Sequence, residues 1–149
     1  MDLVALAAAM AADGLLAGFE PATEELPADR VVVQFPVDDL DEPVLIQVTE
    51  IEHDRDAMSG LDLYQVYAPI PTVLDDDEMA EAIAALPEIN ASTPLIGFSV
   101  SIEERFPYFR YVGLVPAGDE QAAVVTETVW LAGFALEQHA ATFLESADE

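Results

Sequence analysis

The chain contains no cysteine and no lysine. Without cysteine, disulfides, thiolate metal sites and thiol nucleophiles are excluded together. Without lysine, no Walker-type phosphate contact can form, and the seven glycines are too scattered to build a phosphate loop. Positive charge is scarce altogether: four arginines stand against thirty carboxylates, for a formal net charge of −26. A surface of that sign repels nucleic-acid phosphates and anionic lipid headgroups, so neither nucleic acid nor membrane is expected as a partner. Long apolar runs are missing too. Asp13 and Glu20 interrupt the first one well short of the roughly 20 residues that span a bilayer. The opening Met1-Asp2-Leu3-Val4 lacks the basic region of a secretory signal, so a cytoplasmic protein is expected.

What the chain does have is apolar content. At 52% hydrophobic, it is a packed core under an anionic skin rather than a disordered polyanion. Its 149 residues fit one domain over 1–149, large enough to need no staples. The acidity has a general explanation in a GC-rich genome or a high-salt proteome. Net charge speaks to solubility and association rather than to fold.

Residues 2–18 read as a helix, with Leu3, Leu6, Ala7 and Met10 on one stripe and Gly18 as its terminator. The period then changes to two. Val31, Val33, Phe35 and Val37 alternate with Val32, Gln34 and Pro36, and a second strand runs from Val44 to Ile51. Leu63 to Ala68 is a third strand, and the short connections make the three an antiparallel meander. Asp75-Asp76-Asp77-Glu78 opens a helix from Met79 to Leu86, closed by Pro87. Ile96, Phe98, Val100 and Ile102 alternate as the next strand, partnered by about Tyr108 to Val115. A long helix follows from about Glu120 to Leu144. The order α-βββ-α-ββ-α, with helices and hairpins segregated, defines an α+β domain with an antiparallel sheet.

The last helix has more apolar faces than one sheet can cover. Val124, Val125, Thr128, Val129, Ala132, Ala135, Leu136 and Phe143 form a wide stripe. Trp130, Leu131, Phe134 and Ala141 project from another side, and only a seam near Thr126, Gly133 and Glu137 reads as polar. The second cluster either packs beneath the first helix of the same chain or forms a homodimer seam or docking surface.

No motif supplies a catalytic, cofactor or metal site. His53, in Glu52-His53-Asp54-Arg55-Asp56, has the company of a metal ligand or general base, but it falls at a hairpin turn, where charge is ordinarily solvated. His139 has no second nitrogen ligand at i+4. The acidic turns 38–42 and 54–62 do not follow the twelve-residue Ca²⁺ loop. Thirty carboxylates make the existence of some acid–base pair uninformative. Seventeen of them lie between Glu20 and Glu78 against only Arg30 and Arg55, so an alternative role is an acidic DNA mimic, an electrostatic inhibitor of a nucleic-acid-binding protein.

One stretch carries a family resemblance. Leu63-Tyr64-Gln65-Val66-Tyr67-Ala68-Pro69-Ile70-Pro71 leads to a helix ending Ala84-Ala85-Leu86-Pro87-Glu88-Ile89-Asn90. Pro94-Leu95-Ile96-Gly97-Phe98-Ser99-Val100, Phe109-Arg110-Tyr111-Val112-Gly113-Leu114-Val115-Pro116 and the long helix follow. Over roughly residues 30–145 this order resembles the YbjN family, whose fold is that of the class I type III secretion chaperones. The resemblance implies a non-enzymatic, dimeric domain without cofactor, which binds an unidentified polypeptide partner in a regulatory or chaperone-like role. Trp130, Leu131, Phe134 and Ala141 are the expected partner or dimer interface.

Overall fold

A computed structural model describes residues 1–38, 40–54, 56–57 and 59–145, with the side chain of Glu145 excepted. Asp39 of the first acidic turn and Arg55 of the His53 cluster lie outside the described residues.

Asp2 caps helix α1 (Leu3–Ala12), its carboxylate accepting from the Ala5 amide at 3.0 Å. The helix ends six residues before the expected Gly18. Gly14, with φ +99°, takes the left-handed conformation that turns the chain, and Leu16–Glu20 continues as a strand, β1. Good helix formers give way there because the strand pairs all five residues with β2 (Arg30–Phe35) and sets Ala17 and Phe19 against the core. Strands β3 (Val44–Ile51) and β4 (Leu61–Pro69) complete the expected meander, so four strands precede the second helix.

Helix α2 (Asp76–Ala91) begins with a complete capping box. The Asp75 carboxylate accepts from the Glu78 amide while Glu78 accepts from the Asp75 amide. It does not stop at Pro87, which lies inside it. A proline forfeits one helical hydrogen bond. Here the turn beyond it buries Ile89 and brings Asn90 to the sheet edge, which offsets that loss. Strand β5 (Phe98–Ser101) is shorter than its alternation suggested, with Ile96 and Ile102 exposed outside it. Strand β6 (Phe106–Pro116) and helix α3 (Gln121–Glu145) finish the chain.

The six strands form one sheet in the order β1-β2-β3-β4-β6-β5, antiparallel throughout, in a single α+β domain. One face carries the core, with Val31, Val33, Ile46, Val48, Tyr64, Val66 and Phe109 beneath α1 and α3. Tyr64 donates its hydroxyl to Thr128 Oγ1 at 2.9 Å, since Thr128 already donates to the Val124 carbonyl. Gly113 is required beneath that ring, because a Cβ there would sit 2.8 Å from it. Burial, and secondarily the neighbouring Tyr111, push the Tyr64 phenol up, while the Thr128 hydrogen bond acts in the opposite direction. Helix α2 runs along the β5 edge and is tied to α3 where the Ser92 hydroxyl meets His139 Nε2 at 3.1 Å. The helices leave the other face of the sheet open.

Edge protection is unequal. In β5, the Phe98 amide and carbonyl point away from β6. Asn90 clasps both, accepting from Phe98 N and donating to Phe98 O at 3.0 Å each, and it also accepts from Gly97 N at 3.3 Å. At the opposite edge, β1 pairs only with β2.

Candidate protein-binding site

The stripe on α3 divides as the sequence suggested, with two exceptions. Val125, Thr128, Val129, Ala132, Ala135, Leu136 and Phe143 are buried, whereas Val124 is exposed. The expected polar seam is not a seam. Thr126 is buried, and Gly133 is the point of closest approach to the sheet, where a Cβ would collide with the Phe35 ring. Small and hydroxylic residues need not face solvent. Thr and Gly also serve where two elements come close together.

Gly133 thereby organises an aromatic group. Phe35, at the end of β2, is buried and meets two rings of α3 edge-on. Trp130 lies at 5.9 Å and 80°, and Phe134 at 6.2 Å and 86°. Trp130 and Phe134, one helical turn apart, stack on each other at 5.7 Å and 28°. The Trp130 indole N–H donates to Asp13 Oδ2 at 2.8 Å, just past the end of α1. Trp130 is therefore half-buried and tied to its own chain. Phe134 is not, with 53% of its surface exposed.

Beside these rings opens a groove of about 370 Å³, between the start of β1, the end of β2 and α3. Leu16, Phe35, Pro36, Trp130 and Phe134 give it an apolar floor, and Asp38 and Glu137 stand at its rim. Leu16 is 69% exposed, so two large apolar residues of the lining, Leu16 and Phe134, are open to water. Leu131 is on the solvent side of α3, adjacent to Phe134. Ala141 is not brought to this group. It is half-buried eleven residues beyond Trp130, about 16 Å along the helix.

The histidines serve structure. His53 is half-buried between two strands, with Nδ1 2.9 Å from the Ile51 carbonyl and Nε2 2.6 Å from that of Leu61. The ring clasps the β3–β4 connection, and a metal would have to displace those carbonyls. His139 lies edge-on to Phe98 at 5.7 Å, and burial holds its pKa below the usual imidazole value. Among the described residues, no three His, Asp or Glu side chains converge as a metal set. A second cavity, of about 640 Å³, lies beside the N-terminus. There the Met1 ammonium is 3.0 Å from Glu50 and 3.9 Å from Asp62, and Gln121 donates to the latter at 2.7 Å. This ties α1 and α3 to β3 and β4. Among the described residues, no helix is long and apolar enough to cross a membrane.

No family model, curated protein or solved structure matches the chain.

Proposed function

We propose that the protein is a non-enzymatic polypeptide-binding domain that acts as a dimer in a regulatory or chaperone-like role, of the kind the YbjN resemblance implies. The observation that carries this reading is the Leu16–Phe134 groove, an apolar floor left open beside a stacked aromatic pair. Large aromatic side chains held by packing and left partly exposed are effective binding anchors, because little conformational freedom remains to be lost. The rim carboxylates Asp38 and Glu137, with Asp13 behind Trp130, select the partner's chemistry. A segment with an aliphatic or aromatic anchor flanked by arginine or lysine complements the groove; an acidic segment does not.

Trp130 is the only tryptophan of the chain, so its fluorescence reports on the groove directly. A synthetic peptide with a central Leu-Phe pair flanked by arginines should change that signal saturably, and the same peptide flanked by glutamates should not. Phe134→Ala, at a half-exposed position, should abolish the response and leave the far-UV spectrum unchanged. Equal responses to both peptides, or none from either, would overturn the reading. Salt separates the alternative role. An acidic mimic of DNA binds its target almost wholly through charge, so its affinity should collapse between low and physiological salt, whereas the anchored peptide should lose only part of its affinity.

A further inference from the structure

Carboxylates make up one residue in five of this chain, yet among the described residues the open face of its sheet carries none except Glu20 at its β1 edge. Among the described residues, only the carboxylates Glu20, Glu50 and Asp62 lie in strands. Glu50 and Asp62 are on the helix side and hold the Met1 ammonium, while Glu20, at the β1 edge, is paired with Arg30. Across β2, β3, β4, β6 and β5 the open face displays Leu45, Leu63, Tyr67, Tyr108, Val112 and Leu114, among glutamines, serines and a threonine. Its one central charge is Arg110, whose Nε donates to Gln65 Oε1 at 2.7 Å. Glu104 approaches Tyr67 only from the rim, at the β5–β6 turn.

Strand propensity accounts for little of this. It disfavours Asp and Glu by no more than about 1 kcal/mol, and it gives no reason for Leu114 to stand 51% exposed or Val112 37%. A solvated sheet face alternates apolar-in with polar-out. An anionic skin that served only solubility or a salty cytosol would continue over this face; instead it stops at the border.

We infer that the open sheet face is the seam between two copies of this chain. Charge selects the occupant. Two molecules of −26 can approach closely only where neither presents carboxylates, and pairing this face with itself turns both acidic skins outward. One patch meeting its own copy about a two-fold axis is the commonest route to a dimer. The size is sufficient. Six strands at about 4.8 Å spacing and about 24 Å of mean length present roughly 700 Å² in projection, and more in accessible area. That approaches the roughly 800 Å² per partner of a standard stable interface. The resulting dimer has four layers, helices outside and two sheets packed about 10 Å apart. Its stability rises with salt, because screening removes the repulsion between the copies and leaves the apolar contact.

This inference rests on the dimeric part of the proposed function and relocates the seam from α3 to the sheet. The test is the mass of the full chain by sedimentation at 0.05 and 0.5 M NaCl, with the variants Leu114→Asp and Phe134→Asp. The wild type should run at twice 16.1 kDa, more completely at the higher salt. Leu114→Asp should raise the dimer Kd at least about 100-fold, by burying one unpaired carboxylate per copy, with an unchanged far-UV spectrum since the side chain is exposed in the single chain. Phe134→Asp should remain dimeric. A wild type of 16.1 kDa at tens of micromolar in 0.5 M NaCl overturns the inference. So does a dimeric Leu114→Asp or a monomeric Phe134→Asp. The peptide titration is read separately. A monomer that still binds the arginine-flanked peptide sinks the seam and spares the groove, and a dimer that binds none does the reverse.

Discussion

Replacing Asn90 by alanine should open the β5 edge. The side chain makes three hydrogen bonds there, two at 3.0 Å with the Phe98 amide and carbonyl and one at 3.3 Å from Gly97 N. A net hydrogen bond contributes about 1 kcal/mol, and water at this half-buried edge recovers part of what is lost, so the substitution should cost about 2 kcal/mol. For a chain of 149 residues that lowers Tm by roughly 4–8 °C. Asn90→Leu keeps the branched four-atom skeleton of the side chain and discards the polar groups, so it should cost at least as much if hydrogen bonding, rather than packing, is the source. Urea denaturation gives the energy. Amide exchange locates it, because protection should fall at Gly97 and Phe98 first. An edge strand freed of its clasp is also a template for pairing, so Asn90→Ala should aggregate at concentrations where the wild type does not. If both variants stay within about 0.5 kcal/mol of wild type and the two amides keep their protection, then α2 does not close the sheet through Asn90, and the physical account of its passage through Pro87 fails with it.

Three further outcomes are expected. Gly133→Ala places a methyl group in the Phe35 ring, so it should destabilise by about 1–3 kcal/mol and shift Trp130 emission as α3 is pushed off the sheet; a neutral effect would show that the two elements are not in tight contact. Tyr64→Phe removes the hydroxyl that reaches Thr128 Oγ1 and should cost about 1 kcal/mol by urea melts, with Thr128→Val less than additive to it. His139 has a depressed pKa in the folded chain, so the unfolded chain takes up that proton first as pH falls. Its contribution to stability is complete above the unfolded value of about 6.5 and is lost as pH drops toward the folded one. The wild type should therefore lose stability relative to His139→Gln below about pH 6.5, and parallel pH profiles would refute the assignment.

The sequence by itself determined the class of fold. Alternation in Val31–Phe35, Val44–Ile51 and Leu63–Ala68 has only one pleated solution, and the connections are too short for anything but antiparallel neighbours. The acidic opening of α2 at 75–78 and the two-sided character of α3 were equally plain, since both are patterns within a few turns of chain, although α2 begins at Asp76 rather than at Met79. Tertiary structure decided whatever depended on a distant partner. Leu16–Glu20 is composed of helix formers and glycine, and becomes a strand because β2 offers it a ladder. Pro87 ends a helix by local rules, but burial of Ile89 and the Asn90 clasp carry α2 past it. Trp130 and Phe134 share one side of α3 by spacing alone. That one is tethered to Asp13 while the other faces water follows from where α1 stops, which spacing does not contain. Nor does composition reveal that, among the described residues, the carboxylates would avoid the centre of one sheet face. The charge total is a property of the chain, but its distribution exists only once the strands are paired and a single face is left open.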